Sequence, residues 1–244
     1  MCKVLEIEKI TKRYKNGRGV TNITLTVNAG EIVGLLGPNG SGKTTIMKTV
    51  GGLIHADSGK IKILGIDTES ETEAALAETG SLIENPALHG FMTAEQNLRL
   101  AAAYYPDVND ERIEKVLELV GLLPYRSDKV GRFSLGMKQR LGLASAMLSE
   151  PKLLILDEPL NGLDIEGVIR VRELIGRLSE ERGTACLISG HVAAELEKIC
   201  THVAVLHNDR LAAFDTVENA LKFRPTLEDY YISVVRECEG RLAL

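Results

Sequence analysis

One short stretch limits what this chain can fold into: Gly37-Pro38-Asn39-Gly40-Ser41-Gly42-Lys43-Thr44-Thr45. It keeps the spacing G-x-x-x-x-G-K-[ST]. In front of it stands a short apolar run, Glu31-Ile32-Val33-Gly34-Leu35-Leu36, and behind it a helical pattern runs from Gly42 to about Leu53. Strand, glycine-rich turn and helix is the arrangement that phosphate binding needs. The glycines let backbone N–H groups turn inward around anionic oxygens, and the helix starting near Gly42 directs its positive dipole end at them. In such a cradle Lys43 reaches the β- and γ-phosphates and the Thr44 hydroxyl binds Mg²⁺.

The rest of the chain is consistent with an α/β fold built around that turn. Strand signals recur at Leu153-Leu154-Ile155-Leu156, Ala185-Cys186-Leu187-Ile188 and Val203-Ala204-Val205-Leu206, with a helix from Gly167 to Leu178 between the first two. Such βαβ alternation implies a mainly parallel sheet. From Val4 to Val27, apolar residues such as Leu5, Ile7, Ile23, Leu25 and Val27 alternate with polar ones around a turn at Asn16-Gly17, which predicts half-buried antiparallel strands. The segment from about 84 to 150 has a different texture, with helical patterns at Asp110 to Val120 and Met137 to Leu148, and reads as a helical insertion. The expected organisation is a nucleotide-binding unit over 1–224 and an amphipathic tail over 225–244.

A second constellation completes the first. Leu153 to Leu156 is an apolar strand that ends in Asp157-Glu158. In α/β folds the carboxyl ends of buried strands are where ligands gather. There Asp157 would hold Mg²⁺ through water, and Glu158 would polarise the water that attacks the γ-phosphate. An acidic pair after a strand is by itself more often a solvated turn. With the upstream phosphate loop it becomes one half of a site.

Composition narrows the partners. A net charge of −5 over 244 residues supplies no global basic field, so no nucleic-acid partner is expected. Cys2, Cys186, Cys200 and Cys238 stand far apart without a CxxC pair, which suits a reducing cytosol rather than a disulfide framework or zinc site. The start, Met1-Cys2-Lys3-Val4-Leu5-Glu6, reaches charges before a signal peptide could develop. No apolar run approaches the roughly 20 residues of a membrane span. A membrane role would require another chain to form the pore.

Phe133-Ser134-Leu135-Gly136-Met137-Lys138-Gln139-Arg140, shortly before the acidic strand, looks like the ABC signature motif. The chain thus resembles the ATP-binding subunits of ABC transporters over nearly its whole length. That resemblance implies a P-loop NTPase fold, ATP and Mg²⁺ as cofactors, and a homodimer or pseudo-symmetric dimer that shares each ATP. It also implies an integral membrane permease as partner, and a cytoplasmic position at the inner face of the membrane. Tyr14 falls where the family stacks an aromatic ring on adenine. Asn161-Gly162-Leu163-Asp164 falls where its D-loop crosses between subunits, which puts Asp164 near a nucleotide. His191 falls at the switch histidine, and Ser134 and Gly136 at the residues that bind the phosphate held by the partner subunit.

Two departures stand out. The signature usually carries a second glycine and a glutamine where this chain has Leu135 and Met137. The family's Q-loop glutamine is replaced by Glu84 in Ser81-Leu82-Ile83-Glu84-Asn85-Pro86, a carboxylate able to ligate Mg²⁺. Such a glutamate is similar to the variant in bacitracin- and lantibiotic-type exporters, and the tail Leu227-Glu228-Asp229-Tyr230 also resembles theirs. Two alternatives stay open at this point: a soluble ABC ATPase acting on DNA or ribosomes, and a nucleotide-dependent sensor that barely hydrolyses ATP.

Overall fold

The computed structural model describes residues 2–242; Met1 and the tail positions Ala243 and Leu244 lie outside them. The chain opens with β1 (Lys3–Arg13), β2 (Gly19–Asn28) and β3 (Ile32–Leu36), then α1 (Lys43–Val50), β4 (Ser58–Ile63), β5 (Ile66–Asp67), α2 (Thr72–Ala77) and β6 (Thr79–Leu82). Three helices follow, α3 (Ala94–Ala102), α4 (Asp110–Leu119) and α5 (Leu135–Ala146). Next come β7 (Leu153–Leu156), α6 (Ile165–Arg182), β8 (Ala185–Gly190), α7 (Ala193–Glu197), β9 (His202–His207), β10 (Arg210–Thr216), α8 (Val217–Leu221) and α9 (Leu227–Leu242).

The strands form two sheets. One is antiparallel, in the order β2-β1-β4-β5. Its first pairing sets Leu5 opposite Val27, Ile7 opposite Leu25 and Ile10 opposite Ile23, so the alternating apolar residues share a buried face. The connection uses Gly17 at φ 81, with the Tyr14 N–H donating to Arg18 O at 2.8 Å. The other sheet runs β10-β9-β3-β8-β7-β6 and is parallel except for the edge pair β10–β9.

The parallel sheet divides the interior into two cores, and the two-residue period of a strand deals side chains to each. Ile32 and Leu36 of β3, with Leu154 and Leu156 of β7, join Leu98, Leu117, Leu141 and Ile175 on the helical side. Val33 and Leu35, with Leu153 and Ile155, face Leu5, Ile7, Ile23, Ile46 and Met47 between the sheets. Each such side chain, fully buried, is worth roughly 1.5–3 kcal/mol. Because α1 belongs to the second core, the phosphate loop is anchored at both ends to packed elements.

Several boundaries differ from the sequence expectation, each for a local reason. Helix α1 stops at Val50, ahead of the expected Leu53, because Gly51 caps it and Gly52 follows at φ 69. Helix α5 begins at Leu135, capped by the Ser134 hydroxyl, and ends at Ala146. Helix α6 extends from Ile165, capped by Asp164, to Arg182, where Gly183 at φ 65 ends it. The strands β4, β5, β6 and β10 gave no recognised sequence signal. Helix α9 is attached rather than loose, with Leu227 and Val234 buried in the helical-side core.

Candidate functional site

Between β3 and α1 the chain makes the phosphate-loop turn with glycine at each constrained position. Gly42 sits at φ 101, and a Cβ there would fall 2.2 Å from Val20 Cγ1. A Cβ on Gly37 would approach Leu206 O and Ser41 Oγ to 2.7 Å. Gly42 is also the N-cap of α1 and offers no side-chain acceptor, which leaves the first N–H groups of that helix free for an anion. Lys43, only 6% exposed, folds back over the loop and donates to Gly37 O at 2.7 Å and Pro38 O at 3.1 Å. Burial lowers its pKa, and the negative charges of Glu158 and Asp157 oppose that effect. The Ser41 hydroxyl is buried with no hydrogen-bond partner.

The acids arrive from the neighbouring strands. Asp157 follows β7 directly, its N–H donating to Leu82 O at 2.8 Å. The Thr44 hydroxyl donates to Asp157 Oδ2 at 2.9 Å, and the Ser189 hydroxyl of β8 donates to Asp157 Oδ1. Ser189 Oγ accepts in turn from the Glu158 N–H at 3.0 Å. Glu158 holds φ 48, with His191 Nδ1 3.3 Å from Oε1 and the Asn161 side-chain amide donating to Oε2 at 3.2 Å. The Gln139 side-chain amide on α5 donates to Glu158 O at 3.4 Å. One network therefore joins the loop helix, two strand ends and the histidine.

Other sequence-predicted residues stand around it. Tyr14 lines a cleft of about 590 Å³ with Asn39, Gly40, Lys43, Thr44 and Thr45. Glu84 lines the adjoining cleft with Thr44, Asp157 and Glu158; it has φ 60, and Lys48 of α1 pairs with it at 2.6 Å. Ser134 accepts from the Met137 N–H at 3.2 Å and Asp164 from the Gly167 N–H at 2.8 Å, so within this chain both act as helix caps. Neither of them, nor Gly136, lines the cleft around the phosphate loop. Gly136 packs instead on Gly162, where an added Cβ would meet Gly162 O at 3.0 Å.

Comparison with known proteins decides the family. Residues 20–161 match the family model described as ABC transporter. The chain belongs to the ABC transporter ATP-binding family. The cassette is 41% identical over 208 residues to the bacitracin transport ATP-binding protein BcrA of Enterococcus faecalis, covering 85% of this chain and 68% of that one. It is 36% identical over 208 residues to the lantibiotic transport ATP-binding protein SrtF of Streptococcus pyogenes, covering 85% and 89%. A solved ATP-binding subunit of an ABC transporter superposes with a TM-score of 0.86 at 30% identity, covering 95% of this chain and 99% of that one. The cassette is an ATPase by family. Among its described residues no helix is long and apolar enough to cross a membrane.

The residues fit a magnesium-bound triphosphate on three counts: an orphaned buried hydroxyl at Ser41, uncapped N–H groups at the start of α1, and the hydroxyl–carboxylate pair Thr44–Asp157. Three neighbours of Asp157 and Glu158, namely Ser189, Asn161 and Gln139, and the Lys48 partner of Glu84 carry no local sequence signal for those contacts. Ser189 alone left a trace there, as a polar residue ending an apolar strand. The register that sets Leu156 beside Ile188 carries the next pair, Asp157 and Ser189, to the same sheet edge.

Proposed function

We propose that this cassette binds Mg²⁺–ATP between residues 37–45 and the acids after β7, closes on a second cassette, and powers a separate integral membrane permease that exports a peptide antibiotic such as bacitracin or a lantibiotic. The observation that carries the nucleotide reading is the Thr44–Asp157 hydrogen bond of 2.9 Å. A hydroxyl and a carboxylate held together beside a cradle of free N–H groups form the two protein sides of a magnesium-triphosphate site. The cation would neutralise charge that develops on the phosphate oxygens.

The remaining roles follow from position. Gly37, Pro38, Asn39, Gly40, Ser41 and Gly42 would wrap the phosphates, with Lys43 leaving its two carbonyl partners for the β- and γ-oxygens. Thr44, Asp157 and Glu84 would hold the cation, Thr45 would face the α-phosphate, and Tyr14 would stack on the base. Glu158, positioned by Asn161, would take the proton of the attacking water, and His191, 3.3 Å from it, would contact the γ-phosphate.

Support for a shared site comes from Ser134, Gly136 and Asp164, which stand away from the cleft around their own loop. Ser134 is exposed and Gly136 half-buried at the start of α5, where they would meet a phosphate held by another cassette. Under this reading residues 84–150 form the unit that the permease grips, residues 225–244 the tail, and the cassette sits at the inner face of the membrane. The 41% identity to a bacitracin transport protein supports a peptide-antibiotic cargo.

The Glu158→Gln variant provides the test. It should bind ATP, hydrolyse it about 10²–10⁴-fold more slowly, and accumulate as a dimer in size-exclusion chromatography with ATP and Mg²⁺. A variant that hydrolyses at the parental rate would overturn the role given to Glu158, and one that stays monomeric with ATP would overturn the shared-site reading. Cells lacking the chain should become more sensitive to bacitracin or a lantibiotic; unchanged sensitivity to both would remove the cargo assignment.

A further inference from the structure

The residue in place of the usual Q-loop glutamine is not a free acid. Glu84 follows β6 at φ 60, a left-handed conformation that is uncommon for a residue with a side chain, and its carboxylate meets the Lys48 ammonium at 2.6 Å. Lys48 lies four residues after Thr44 on α1, and therefore one turn further along the same helix face. The pair stands on the wall between two clefts. Lys48 lines the one that holds Tyr14 and the phosphate loop, while Glu84 lines the one that holds Thr44, Asp157 and Glu158.

From this placement we infer that Lys48 competes with the divalent cation for Glu84 and so sets how strongly nucleotide binding depends on Mg²⁺. The inference rests on the reading of Glu84 as a cation ligand. Without nucleotide, the ammonium neutralises the carboxylate and keeps a third acid from adding its charge to Asp157 and Glu158. With Mg²⁺–ATP in place, Glu84 leaves Lys48 and turns to the cation beside Thr44 and Asp157. A neutral glutamine in that position would have no comparable attraction to the lysine. The exchange is therefore a property of the acidic variant, and it ties movement of the segment after β6 to arrival of the metal-nucleotide complex.

The pair is reversible by its exposure. Lys48 is 27% and Glu84 59% exposed, so solvent screens their attraction and a cation with a double charge can displace it. Lys48 alters catalysis only through Glu84, and is a positioning residue rather than a catalytic one.

The test is a double-mutant cycle on binding rather than turnover. Lys48→Met and Glu84→Gln are made singly and together in the full chain carrying Glu158→Gln, and the affinity of a fluorescent ATP analogue is measured with Mg²⁺ and with a chelator. The ratio of the two affinities should rise about threefold on Lys48→Met when Glu84 is present and stay unchanged in the Glu84→Gln background. Thermal unfolding of each variant checks that it is folded. An equal effect of Lys48→Met in both backgrounds, or none in either while Glu84→Gln still lowers the ratio, would overturn the competition but leave Glu84 a ligand. A ratio untouched by Glu84→Gln would remove both.

Discussion

Ser189 offers the sharpest perturbation of the site, because a single hydroxyl orients both acids. It is 1% exposed, donates to Asp157 Oδ1 and accepts from the Glu158 N–H at 3.0 Å. A hydrogen bond to a charged group contributes about 1.5–3 kcal/mol, and an N–H left buried without a partner costs about 1–3 kcal/mol. Asp157 keeps its Thr44 contact in Ser189→Ala, so the two costs overlap rather than add fully, and a net loss of about 2–3 kcal/mol is expected. For a domain of this length each kcal/mol lowers the melting temperature by about 2–4 °C, which predicts a shift of roughly 4–12 °C. Differential scanning calorimetry of the nucleotide-free cassette reads that shift. Hydrolysis should fall at least tenfold (about 1.4 kcal/mol in the barrier), since Glu158 loses the contact that fixes its backbone at φ 48. A variant that melts within about 1 °C of the parent and hydrolyses ATP equally fast would show that Ser189 merely fills space.

Three further outcomes follow from the same geometry. Gly42→Ala must fit a Cβ 2.2 Å from Val20 Cγ1 at φ 101 and should abolish nucleotide binding in isothermal titration, whereas Gly40→Ala, with open space around its Cβ at φ 84, should cost only about 1–2 kcal/mol of stability. Lys43→Met removes a buried cation whose hydrogen bonds go to two carbonyls and whose desolvation outweighs the pull of Glu158 and Asp157, so nucleotide affinity should drop at least about tenfold while the nucleotide-free melting temperature stays level or rises. The Arg182 hydrogen bond holds Glu150 below the ordinary glutamate value of 4.5, so its contribution to stability is complete above that value and is lost as the pH falls through the lowered one; Glu150→Gln should flatten the acid limb of a melting-temperature profile below about pH 5.

What was legible in the sequence was whatever local spacing encodes. The loop 37–45, the acids after β7 and the alternation of β1 and β2 each depend on neighbours along the chain, and the family resemblance rests on the order of such motifs. Three strands without a clean pattern fared worse. β10, at a sheet edge, carries polar residues among its apolar ones because one side is open, and β4 and β6 are interrupted by Gly59 and Gly80. Contacts between distant segments were invisible for a different reason. Lys48 and Glu84 are ordinary surface residue types, and only the packing of α1 against the end of β6 makes them a pair. Ser134 and Asp164 illustrate the converse: their sequence positions imply nucleotide contacts, while inside one chain each caps a helix.

Strand register explains how residues so far apart form one site. Leu82 of β6 pairs with Leu156 of β7, Leu156 with Ile188 of β8, and Leu36 of β3 with Gly190 of β8, so the four strands end at nearly the same level. Each strand then delivers a residue of the candidate site within the next two or so positions: Glu84, Asp157 with Glu158, His191, and the loop from Gly37. At two of these exits the chain turns through a left-handed glutamate, Glu84 at φ 60 and Glu158 at φ 48, although glycine would adopt that conformation with less strain. That conformation costs a residue with a side chain about 1–3 kcal/mol, and both glutamates line one cleft with Asp157. Each is also held by a side chain that approaches from another element, Lys48 on one flank and Asn161 with His191 on the other. The acids are thus held in place without nucleotide, and under the proposed exchange Glu84 is the one that leaves its partner.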